Sequence, residues 1–217
     1  TPVIAIDGPS ASGKGTVSQQ LAQALAFNFL DSGALYRLVA LSALECGGNL
    51  DDATAIAPIA QTLDVVFAGS EIRLQGRNVT EAIREERVSG AASRIAALGP
   101  VRLALLERQR AFRRPPGLVA DGRDMGSVVF PDARLKIFLT AQPAERARRR
   151  YKQLMAKGLG ANMAALLQEI HDRDARDSER AAAPLQKCAD AIELDSTGVS
   201  VDEVVARILV LYQQRAP

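Results

Sequence analysis

Val3-Ile4-Ala5-Ile6-Asp7-Gly8-Pro9-Ser10-Ala11-Ser12-Gly13-Lys14-Gly15-Thr16 starts as an apolar run, breaks into glycines, and continues with Val17, Leu21, Ala24 and Leu25 at helical spacing. A strand that feeds a glycine-rich loop and then a helix is the arrangement a phosphate chain requires. Glycines let the backbone curl until successive N–H groups point inward, and the helix N-terminus adds partial positive charge. Lys14 stands where its ammonium reaches terminal phosphates, and a nearby hydroxyl can hold Mg²⁺ through the nucleotide. The residues from Gly8 to Thr16 are therefore the expected contacts of a nucleotide's phosphate chain.

Outward from this loop, short apolar runs recur at Phe27–Asp31, Leu118–Asp121, Leu135–Thr140 and Ala191–Asp195, separated by stretches of helical period. With Val3–Asp7 they predict a five-stranded parallel sheet in a three-layer α/β fold, with helices on both faces. Ligands collect at the carboxyl ends of such strands, so Asp7, Asp31, Asp121 and Asp195 are expected to rim one face. Asp121 in particular is placed to orient Mg²⁺ or its waters, with Thr16 as the second candidate metal contact, directly or through water.

The stretch from Ser32 to Gly117 is too long for a simple crossover. Helical patterns are predicted over Gly33–Cys46, over a piece that carries Pro58 and reaches Leu63, around Arg84–Ala97 and around Val101–Arg113. Between them the period changes. Val65–Phe67, Gly69-Ser70, Ile72–Leu74 and Gly76–Val79 predict a small antiparallel meander. An insertion with its own sheet is a candidate acceptor-binding domain.

A second insertion precedes the last strand. Arg146, Arg149 and Arg150 share a helix face, Lys157–Gly160 marks a break, and a further helix is predicted to run to Ala183, stopped by Pro184. Along it Arg173, Arg176, Asp177 and Arg180 form one stripe. On spacing alone this is as well a solvated ion-pair face. A phosphate-binding loop that needs cationic partners for a transferring phosphoryl group favours the functional reading.

Composition narrows the class. The formal net charge is +2, against a protein built to coat nucleic acid. Five of the 27 basic residues are lysine, so 27 less five leaves 22 arginines, suited to bidentate recognition of phosphate and carboxylate. Cys46 and Cys188 lack metal spacing and fit a reduced cytoplasmic compartment. The lone His171 excludes multi-histidine metal sites and is expected at the surface. No membrane-length apolar run or signal-peptide pattern is present, and Thr1 in place of Met points to a trimmed start.

The loop puts Gly15 where the general pattern has Ser or Thr, and its hydroxyl comes one position later, at Thr16; this form resembles the nucleoside monophosphate kinases. Further segments, Leu30-Asp31-Ser32-Gly33-Ala34-Leu35-Tyr36-Arg37, Ala120-Asp121-Gly122-Arg123-Asp124-Met125-Gly126, Val129-Phe130-Pro131 and Arg173-Asp174-Ala175-Arg176-Asp177, resemble the bacterial cytidylate kinases in order over nearly the whole chain. The resemblance implies a P-loop core (1–31, 117–145 and 184–217), a nucleotide-acceptor domain (32–116, with its β insertion about 63–80) and a short lid (146–183). It implies Mg²⁺-dependent phosphoryl transfer from ATP to CMP or dCMP by a cytoplasmic monomer, with no nucleic-acid or membrane partner. Cytosine contacts would fall on Ser93, Arg102 and Asp124, and acceptor-phosphate contacts on Arg37, Arg123 and Arg180. Arg173 and Asp177 would hold the sugar, with Ser32 also at the acceptor site. Lys14, Arg123, Arg176 and Arg180 would act on the transferring group. Without the resemblance the residues do not select cytosine over another base. They also leave open a kinase with a small hydroxyl acceptor and a non-catalytic nucleotide-binding module.

Overall fold

The computed structural model describes residues 1–68 and 71–215; Gly69 and Ser70, expected as the first turn of the meander, lie outside the described residues. The chain separates into two compact units, one formed by Thr1–Leu30 with Phe112–Pro217 and the other by Asp31–Ala111.

In the first unit the sheet is built from β1 (Val3–Asp7), β2 (Asn28–Asp31), β6 (Leu118–Gly122), β7 (Leu135–Thr140) and β8 (Ile192–Asp195), in the order β2-β6-β1-β7-β8. β1 pairs in parallel with β6 and β7, and β7 with β8. β1 is therefore central and buried throughout, as its unbroken apolar run requires. Its last residue, Asp7, lies in register with Gly122 on one side and Phe138 on the other. That register brings the loop after β1 and the segment after β6 to the same edge of the sheet.

Helix α1 (Lys14–Leu25) buries Val17, Leu21 and Ala22 against β1, β6, β7 and the C-terminal helix α8 (Val201–Gln214), which contributes Val204, Val205 and Ile208. Ser200 starts α8 with a capping box, exchanging bonds with Glu203. Between β7 and β8 lie α6 (Pro143–Ala156) and α7 (Met163–Glu179), which share a small apolar cluster of Ala147, Leu166 and Ile170. A five-residue π-helix, Met125–Val129, follows β6.

The second unit holds α2 (Ser32–Glu45), α3 (Ala53–Gln61), α4 (Glu86–Ile95) and α5 (Gly99–Arg110), with α2 packed on α4 and α3 on α5. A three-stranded antiparallel sheet, β3 (Val65–Ala68), β4 (Glu71–Leu74) and β5 (Arg77–Asn78), realises the predicted change of period. α5 begins two residues before the predicted Val101, because Pro100 at its start has the fixed φ of a first helical turn. α4 is shorter than expected: Ala82–Arg84 form a 3₁₀ turn, and Glu85 is extended before the helix resumes.

One helix ends differently from expectation. α7 stops at Glu179, not near Ala183, and Arg180 is extended (φ −60°, ψ 137°). The carbonyl of Asp177 accepts from Leu185 N–H at 2.7 Å, and Arg180 Nε donates to Ala183 O at 2.6 Å. These bonds fold the chain back before Pro184, whose preceding residue cannot remain helical without strain. Arg180 thus leaves the predicted four-residue helical stripe.

Candidate active site

Gly8 leaves β1 at φ +148°, and a Cβ there would lie 2.1 Å from the Leu139 carbonyl oxygen; only glycine permits this approach of loop to β7. The loop then curls over the N-terminus of α1, where Gly13 takes a left-handed conformation. Lys14 is buried and folds back into the loop, its Nζ donating to Pro9 O at 2.8 Å. Burial pushes its pKa down to about 7, and the Arg123 guanidinium adds to the effect, against the opposing pull of Asp121, Asp7 and Asp177. The ammonium is thus poorly compensated before a phosphate arrives.

Arg123 follows β6 and donates through Nε to Asp177 Oδ2 at 2.8 Å, with Asp177 only 6% exposed. Burial raises the Asp177 carboxyl, but the charges of Arg123, Arg173 and Arg180 outweigh it and hold it below the usual carboxylate range. Burial disfavours the charged Arg123 as well, and Asp177 with Asp121 and Asp7 more than restores it. The carboxylate thus pairs with Arg123 and lies within electrostatic reach of Arg173 and Arg180. Arg176, predicted as a member of the same stripe, is exposed.

Asp121 is buried beside the loop, its Oδ2 3.5 Å from where a Cβ of Gly15 would stand. Thr16 is exposed at the start of α1. Among the described residues there is no group of three or more His, Cys, Asp or Glu able to hold a metal ion. One carboxylate and one hydroxyl beside a phosphate loop suit Mg²⁺, which keeps its waters and takes most other ligands from the nucleotide. Asp195, expected on the same rim, is exposed and instead accepts from the N–H and hydroxyl of Thr197, shaping the turn after β8.

Sequence reasoning did not foresee the supports of the loop. Arg146, 3% exposed, donates to Ala141 O and Ser10 O and pairs with Asp174 on α7. Arg149 donates to Ser12 O at 3.0 Å and to both the hydroxyl and carbonyl oxygens of Ser196. The Ser196 hydroxyl lies 3.0 Å from Ser12 O and 2.9 Å from Thr140 O, within donating reach of both. The shared helix face of Arg146 and Arg149 was readable; its target, the loop's carbonyls, was not.

The second unit carries the other predicted contacts. Asp31 caps α2 by accepting from Ala34 N–H, and its second oxygen accepts from Arg37 Nη2 at 2.7 Å. The Arg37 Nε is buried without a hydrogen-bond partner among the described residues, as is the hydroxyl of Ser93 on α4. Arg102 stacks over Tyr36, its Cζ 5.9 Å from the ring centroid, and donates to Ala96 O. Ser32 is buried at the start of α2. Two buried donors without partners are costly unless a ligand completes them.

A sequence model of the family described as cytidylate kinase matches residues 4–214. This chain belongs to that family. It is 60% identical over 214 residues to the cytidylate kinase of Stutzerimonas stutzeri, a match covering 96% of this chain and 93% of that one. It is 56% identical to the cytidylate kinase of Nitrosomonas eutropha, covering 97% and 94%. Among solved structures, a gluconokinase from Sinorhizobium meliloti 1021 superposes with a TM-score of 0.51 at 15% identity, covering 98% of this chain and 92% of that one. That likeness shows the fold alone, and it agrees with the P-loop kinase architecture that the family match and the β1–α1 loop indicate.

Proposed function

We infer that this chain transfers the γ-phosphoryl group of ATP to CMP or dCMP, giving ADP and CDP or dCDP. The observation that carries the reading is the buried Lys14, Arg123 and Asp177 cluster beside the phosphate loop, in a chain that belongs to the cytidylate kinase family.

In this reading Gly8 to Thr16 bind the ATP phosphates. One phosphate oxygen of CMP attacks Pγ in line while the bond from Pγ to the bridging oxygen of ADP breaks. The acceptor phosphate is mostly dianionic at pH 7, so no strong general base is needed. The protein's work is alignment and charge neutralisation by Lys14, Arg123, Arg176 and Arg180. Thr16 and Asp121 would hold Mg²⁺, which neutralises charge on the phosphoryl oxygens when bound.

The acceptor residues are those that the family resemblance implies, and their chemistry suits the roles. Asp124 accepts from the cytosine amine while Arg102 and Ser93 donate to the ring acceptors; uracil would turn an oxygen toward Asp124. Each such buried mismatch costs about 1–3 kcal/mol. Arg37, Arg123 and Arg180 take the acceptor phosphate, Arg173 with Asp177 the sugar, and Ser32 also lies at the acceptor site. Residues 32–116 serve as the acceptor domain and 146–183 as the lid, whose movement brings the exposed Arg176 to the reacting group. The enzyme acts as a cytoplasmic monomer without nucleic-acid or membrane partners; among the described residues no helix is long and apolar enough to cross a membrane.

An initial-rate panel tests this directly. CMP and dCMP should be phosphorylated far faster than UMP, AMP or GMP, with no transfer to gluconate or shikimate. Turnover of a hydroxyl acceptor without CMP activity would replace the reading, and ATP binding without turnover of any acceptor would favour the module.

A further inference from the structure

We propose that Asp7 is a positioning residue for base recognition: from the end of β1 it holds the turn that presents Arg123 and Asp124. The proposal rests on the assignment of Asp124 to the base. Asp7 Oδ1 accepts from Met125 N–H and Oδ2 from Gly126 N–H, both at 2.8 Å. These two amides open the π-helix Met125–Val129. Such short π-helical turns concentrate at functional sites, and the first N–H groups of any helix lack an internal partner. Aspartate at the N-cap position is the usual remedy. Asp124 occupies that position and makes no capping bond with its side chain. The capping of these two amides is delegated to Asp7.

The fit is close on the other side as well. A Cβ at Gly126 would stand 3.0 Å from Lys136 Cδ and 3.4 Å from Asp7 Oδ2. Asp7 itself is 5% exposed, and burial pushes its pKa up to about 6 despite the two N–H donors, with Asp124 adding to the rise and Lys14 opposing it. A carboxylate is thus kept at an unfavourable depth where it joins the strand of the phosphate loop to the segment assigned to the acceptor. In register terms it sits opposite Gly122, two residues before Asp124.

The test is Asp7→Asn, which preserves shape but offers one acceptor oxygen to two N–H groups. Initial rates with CMP and with UMP at saturating ATP, and equilibrium binding of a non-hydrolysable ATP analogue, are measured on the full chain. The expected result is a fall of about tenfold in kcat/KM for CMP, carried by KM. The CMP-to-UMP preference should narrow while affinity for the analogue is unchanged. An unaltered CMP-to-UMP preference, or a loss shared equally by CMP and the analogue, overturns the proposal. A parent enzyme that does not turn over CMP would fail the functional reading itself. Should the variant not fold, amide exchange in the nucleotide-free parent decides. Met125 and Gly126 amides protected like those of β1 support a pre-formed anchor, and unprotected amides overturn it.

Discussion

Arg123 Nε meets Asp177 Oδ2 at 2.8 Å, joining the residue that follows β6 to the last turn of α7. The charges of Arg123, Arg173 and Arg180 all act on this carboxylate. Removing its charge while keeping its shape takes a counter-charge from each of them. Asp177→Asn should therefore reduce kcat/KM for CMP by about 100-fold, since breaking a buried pair strands the remaining charge. Steady-state kinetics with varied CMP check this. Because the carboxyl is held below its usual range, it contributes stability above the ordinary aspartate pKa and loses it only as pH falls through the lower folded value. Asp177 itself stays ionised from pH 6 to pH 8, so protonation of this residue does not mask the deficit in that range.

Lys14 sits at the heart of the loop, and its charge acts on phosphoryl oxygens that gain negative character during transfer. Lys14→Ala should lower kcat by about 10³-fold or more while the melting temperature stays near that of the parent or rises, because a buried cation is removed. Single-turnover rates together with thermal melts separate the two effects. Near-normal turnover would rule out the assigned role.

The depressed pKa of Lys14 has a sign that binding can report. At pH 8 the free enzyme holds it mostly neutral, because its folded value is about 7. Phosphates favour the charged form, so ATP binding should draw in up to about one proton and weaken as pH rises from 7 to 9. Calorimetry in two buffers of different ionisation enthalpy measures the uptake. Lys14→Met should abolish it.

Arg149 holds the phosphate loop through its bonds to Ser12 O and Ser196. Lysine keeps the charge but not the planar fork. Arg149→Lys is expected to raise KM for ATP by about tenfold with KM for CMP unchanged. Bisubstrate kinetics distinguish this from a general loss of folding, which would lower the active fraction and leave both constants intact.

Much of the architecture was legible because its signals are local. The five core strands are continuous apolar runs, the glycine loop is contiguous, and the β3–β5 sheet announces itself by a change of period. The stop of α7 was not legible in the same way, because it depends on Leu185 reaching back to Asp177 and on the side chain of Arg180 reaching Ala183. The site divides similarly. Lys14, Arg123 and Asp177 stand out by type and motif. The contacts of Asp7, 118 and 119 positions away in the chain, and of Arg146 to Ser10, 136 away, follow from the sheet register and helix docking. No window of sequence contains both ends of such a bond.

The junction at Ser196 bears on how the molecule comes into being. The hydroxyl within reach of the Ser12 carbonyl belongs to a residue translated 184 positions later. A growing polypeptide thus carries the glycine segment for a further 184 residues before that brace can form, once β8 has slotted in beside β7.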